Sequence, residues 1–120
     1  MKLEDKVQLV FTATVSYCIA PREDDSSRIN LDKGILAATL ADVVKHATVV
    51  SHTQEGKFSE SLCIKQACRH GIIDLAARLP MEQRVRILER AIRMPSEMYT
   101  VEYWQSHKEI ADSLRNLNRE

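Results

Sequence analysis

From residue 36 onward the apolar residues of this 120-residue chain recur at intervals of four and three, and prolines fall only between the runs. That spacing is the signature of helices buried along one face, and it leaves little room for a sheet. Leu36, Leu40, Val43, Ala47 and Val50 form one stripe, which Asn30 is placed to cap and the Ser51 to Lys57 stretch with Gly56 to end. Ser59 is positioned to cap a second helix that turns Ile64, Cys68, Leu75 and Leu79 inward, widened by Ala67, Ile72 and Ala76. Gly71 falls on that same face, where it costs about 1 kcal/mol against alanine, so a close helix crossing is expected there. Pro80 opens a third helix that should bury Met81, Val85, Leu88 and Ile92 and expose the pairs Glu82–Arg86 and Glu89–Arg93. Pro95 stops it. Ser96 starts a last helix along Tyr103, Ile110, Leu114 and Leu117, with residues 116–120 frayed.

The segment before residue 20 carries two periods at once. Leu3, Val7, Val10, Thr14 and Cys18 fit a helix, while Val7, Leu9, Phe11, Ala13, Val15, Tyr17 and Ile19 alternate as a strand would. A strand needs a partner, and the chain holds no second strand candidate except across a dimer, so the helix is preferred. Residues 21–29 read as a mobile polar loop. The expected fold is a single all-α domain over residues 1–120, a compact bundle of four to five helices with short connections.

Composition narrows the function. Seventeen basic and 17 acidic residues give no net charge, which disfavours a polybasic membrane binder or a general nucleic-acid coat. Three unevenly spaced cysteines do not make a disulfide framework and fit a reducing cytoplasm. The uncharged stretch from Val7 to Pro21 lacks the positive start and continuous apolar run of a secretory signal, and no stretch approaches the ~18–20 apolar residues of a membrane span. A cytoplasmic location is expected.

Cys63, Cys68 and His70 lie close in sequence, yet on a helix their side chains diverge by about 140° and 200°. No metal site and no cofactor is expected, and the cysteines fit core positions instead. No catalytic ordering of Ser, His, Asp or Cys occurs, so the chain reads as a non-enzyme. One exception involves His52. Ser51-His52-Thr53-Gln54-Glu55-Gly56 resembles the His-x-x-x-Gly core of histidine phosphotransfer domains, which are helical and of this size. That resemblance implies a phosphorelay role for His52. It departs from the family at Glu55, where a cation usually precedes the glycine.

Two surfaces stand out. Met94, Met98, Tyr99, Tyr103 and Trp104 concentrate half of the six aromatics on two faces of one helix, the composition that protein interfaces favour. Arg78, Arg84, Arg86, Arg90 and Arg93 form the densest basic patch, answered locally by Glu82 and Glu89. The sequence therefore points to a small regulatory or adaptor protein that binds a protein partner through Met94–Trp104, as a homodimer, with the arginines orienting the encounter. The alternative is a dimeric helical DNA-binding regulator. It uses the arginine patch and the Ala67-x-x-x-Gly71 spacing found at helix-turn-helix corners.

Overall fold

The computed structural model describes residues 1–20, 29–53, 56–109 and 112, and it is an all-α bundle. Helix α1 spans Leu3–Ile19, α2 Lys33–Thr53, α3 Glu60–Ala77 and α4 Met81–Arg93. A single 3₁₀ turn at Ser96–Tyr99 then leads into the short α5, Val101–Ser106. No strand occurs among the described residues.

Helix α1 is the axis of the bundle, in contact with α2, α3, α4, α5 and the 3₁₀ turn. Its residues from Val10 to Val15 are buried without interruption. A helix enclosed all round carries no single apolar stripe, which is why its sequence also fits a strand. Its two buried hydroxyls are satisfied inside the helix: Thr12 Oγ1 donates to Gln8 O and Thr14 Oγ1 to Val10 O, both at 2.7 Å.

The boundaries follow local capping chemistry. Asp32, rather than Asn30, starts α2: its Oδ1 accepts from the backbone N–H of Gly34 at 2.7 Å and of Ile35 at 3.2 Å. Only Thr39, Val43 and Ala47 of α2 are buried, so the expected stripe narrows and leaves Leu36, Leu40 and Val50 at its half-buried rim. Ser59 caps α3 as expected, accepting from Leu62 N. The last helix does not begin at Ser96. Extended backbone at Thr100 separates the 3₁₀ turn from α5, and the Thr100 hydroxyl accepts from Tyr103 N at 3.2 Å as a new N-cap.

The inward face of α3 is the one anticipated, with Ile64, Ala67, Cys68, Gly71, Ile72, Leu75 and Ala76 all buried. A Cβ added at Gly71 would stand 2.1 Å from Val43 Cγ2 and 2.7 Å from Phe11 Cε2. Glycine is what allows α3 to meet α1 and α2 this closely, offsetting its poor helix propensity.

Two expectations meet only part of the description. The loop at 21–29 lies outside the described residues except for Ile29, which is buried in the core, and the frayed end at 116–120 lies wholly outside them. Helix α2 also departs from the expectation that no stretch resembles a membrane span. By length and composition it is long and apolar enough to cross one, although Asp42 and Lys45 lie within it and it packs on α1 and α3.

Candidate functional site

Helix α4 is amphipathic, and its apolar stripe faces the solvent. Met81, Val85 and Ile92 are 64%, 45% and 81% exposed, and Leu88 is half-buried. The expectation that these residues enter the core is thus overturned for Met81, Val85 and Ile92, while Leu88 packs partly against it. The buried residues of α4 are Ile87 and Arg90, followed by Met94 at its C-cap. At 100° per residue, Met81 lies ~180° and Leu88 and Ile92 ~160° round the helix from Arg90.

The cause lies in two arginines and the carbonyl groups left over at two helix ends. The last carbonyls of a helix have no intrahelical donor, and a cation there also complements the helix dipole. Arg90 Nη1 donates to Cys18 O at 2.9 Å and also to Ala20 O, closing the C-terminus of α1 from inside the bundle. Arg84 closes the C-terminus of α3: Nε donates to Ala76 O at 3.1 Å, and Nη2 to Ala77 O at 3.2 Å and Leu79 O at 3.3 Å. Turning the apolar stripe inward would swing both guanidinium groups away and leave those carbonyls unpaired.

The same contacts break up the expected basic patch. Arg84 and Arg90 serve helix ends, and Arg78 pairs with Asp42 of α2 and Asp74 of α3, each at 3.3 Å. Arg86 is half-buried, and Arg93 is exposed at the end of α4. Among the described residues these five arginines are not gathered into one continuous cationic surface. Ala67 and Gly71 sit inside an unbroken α3, so no helix-turn-helix corner lies between them.

The cluster from Met94 to Trp104, expected to bind a partner, packs into the bundle. Met94, Met98, Tyr99 and Trp104 are buried in the chain's own core, and Tyr103 is half-buried against it. The break at Thr100 divides the segment into two short pieces, which dock on α3 and α1. Its two apolar faces therefore pack on this bundle. Trp104 and Tyr103 pack edge to face at 5.1 Å, and Arg69 stands 5.5 Å above the Tyr99 ring. Burial, the leading influence on Tyr99, pushes its phenol upward, while the Arg69 guanidinium draws it down. The indole Nε1 of Trp104 is buried without a hydrogen-bond partner among the described residues.

Between α3 and α4, beside the exposed stripe, lies an open groove of about 270 Å³ lined by Arg69 together with Ile72, Ile73, Leu88, Ala91, Ile92 and Tyr99. Ile73 is itself 63% exposed, so α3 extends the apolar face begun by α4. Sequence reasoning found these α4 residues but assigned them to the core, and it did not single out Ile73.

No group of three or more His, Cys, Asp or Glu side chains converges among the described residues. Cys63 and Cys68 are buried, and dry surroundings push the Cys68 thiol far above its ordinary range, which keeps it unreactive. His46 of α2 stacks on His70 of α3, ring centroids 4.4 Å apart. Burial first, then the charge of His70, lowers the affinity of His46 for a proton. His52 is exposed near the end of α2, and Gly56, at φ 81°, lies beyond that helix. Gln54 and Glu55 of that motif lie outside the described residues.

No known protein family, no curated protein and no solved structure matches this chain.

Proposed function

We propose that this chain is a small non-enzymatic regulatory or adaptor domain, acting in the cytoplasm by protein–protein association through the outward face of α4 and the adjoining Ile73. The supporting observation is the rotational setting of α4. Its polar side is turned inward to close two helix ends, and its apolar side is left in water. Full burial of an exposed Met, Val or Ile is worth about 1.5–3 kcal/mol each, so leaving Met81, Val85 and Ile92 in water forfeits a large share of a small domain's margin. Contiguous apolar patches on soluble domains mark interaction sites. The groove between α3 and α4 is the shape that receives side chains from a docking helix. On this reading the surface lies away from Met94–Trp104, which packs into the chain's own core.

The test is a Val85→Glu, Ile92→Glu double variant. Both positions are exposed, so the fold by circular dichroism and the unfolding midpoint should survive. Association, whether with itself by sedimentation or with another protein by affinity capture, should be lost. A folded variant that associates like the wild type would contradict the proposal.

A further inference from the structure

The structure assigns the occupant of this face: a second copy of the same chain, its α4 running antiparallel to the first. This rests on the association function proposed above and specifies the partner. Two linear patterns on α4 carry it. The apolar stripe Met81, Val85, Leu88, Ile92 is spaced four, three, four, which reads the same in either direction. Beside it, Glu82, Arg86, Glu89 and Arg93 form a ridge with the same spacing and alternating sign, lying on the flank away from the groove. Reversal converts minus–plus–minus–plus into plus–minus–plus–minus.

A two-fold axis perpendicular to two antiparallel helices places the same flank of each side by side, because such an interface is isologous. Glu82 then faces Arg93 of the second copy, and Arg86 faces Glu89 of the second copy, each pair occurring twice. The apolar layers follow the same symmetry, Met81 against Ile92 of the copy and Val85 against Leu88 of the copy. The stripe is centred between Arg86 and Ile87 and the ridge between Ile87 and Leu88. The centres differ by one residue, so the two-fold displaces each facing pair of charges by two residues, about 3 Å along the axis, which Glu and Arg side chains can span. The groove gains an occupant as well. Ile92 stands at its mouth, so Met81 of the second copy arrives there with a flexible side chain suited to an irregular space. A parallel pair sets each ridge against the α3 flank of the other copy and brings no Glu of one ridge to an Arg of the other.

The test is cysteine cross-linking with Met81→Cys and Ile92→Cys, together with sedimentation of the wild-type protein. Both positions are exposed, and the native cysteines are buried. The expected result is a wild-type dimer and a disulfide-linked dimer when the two variants are mixed and oxidised, with little or none from either variant alone. Ready linking of each variant to itself would show parallel pairing and overturn the proposal. A wild-type monomer with no cross-link in the mixture would also overturn it. In that case, capture of another protein that is lost in Val85→Glu, Ile92→Glu would show that the association function stands and only the identity of the partner was misassigned.

Discussion

The guanidinium of Arg90 donates from Nη1 to the carbonyl oxygen of Cys18 at 2.9 Å, joining the middle of α4 to the end of α1 inside the bundle. This contact fixes the rotation of α4, and so decides which of its faces meets water. A buried charge is tolerated here because it answers carbonyls that would otherwise be orphaned and sits at the negative end of a helix dipole.

Arg90→Met keeps much of the volume and removes the donors. It should lower stability by about 2–4 kcal/mol in urea unfolding, the cost of losing charged hydrogen bonds to buried carbonyls. Arg90→Lys should recover part of that loss. A midpoint unchanged in the Met variant would show that the carbonyls find other donors, and that Arg90 does not set the rotation of α4.

Gly71→Ala gains about 1 kcal/mol of helix propensity but places a methyl 2.1 Å from Val43 Cγ2. The net result should be a loss of about 1–3 kcal/mol from overpacking. Val43→Ala in the same chain should make the two substitutions less than additive, as a double-mutant cycle would record. Simple additivity would mean that α3 shifts to relieve the clash.

The setting of α4 also predicts opposite fates for two isoleucines five residues apart. Ile92 is 81% exposed and Ile87 is fully buried. At a dilution where the chain is monomeric, Ile92→Glu should stay within about 0.5 kcal/mol of the wild type. Ile87→Glu should prevent cooperative folding, since it would bury an unpaired carboxylate. The reverse outcome would mean that the stripe faces inward after all.

Much of this fold can be read from the sequence, and the exceptions share a cause. The lining of α3, its Ser59 cap and the close crossing at Gly71 are legible because each depends on neighbours within a few residues. Helix α1 is ambiguous because burial on every side removes the periodicity that distinguishes helix from strand. In α4 the stripe is plain, but the direction it faces is not. That direction is set by Arg84 and Arg90 reaching the ends of α3 and α1, and the contact to Cys18 spans 72 positions in the chain. The candidate site inherits the same difficulty. Met94, Met98, Tyr99 and Trp104 have an interface's composition, yet a break at Thr100 lets them fill the core, while the surface left open is the stripe that looks like core.

Acid should weaken the fold at the α2–α3 contact. The proton affinity of His46 is held below the ordinary imidazole value of 6.5 by burial and by His70. The unfolded chain therefore binds the proton more readily than the folded one. The corresponding stability is present above that ordinary value and is lost as pH falls through it. Thermal unfolding across this range should show the decline in the wild type and a shallower one in His46→Gln. An equal slope in the two proteins would assign the pH dependence elsewhere.

The central claim is that the outward face of α4 pairs with itself in reverse, and exchange of its charges tests this most directly. Sedimentation velocity would be run on Glu82→Arg, Glu89→Arg and on Arg86→Glu, Arg93→Glu, each alone and then mixed in equal amounts. Like charges then oppose one another in each homodimer and opposite charges in the heterodimer, so each variant alone should be monomeric and the mixture dimeric. Folded variants that dimerise alone like the wild type, or that stay monomeric when mixed, would contradict it.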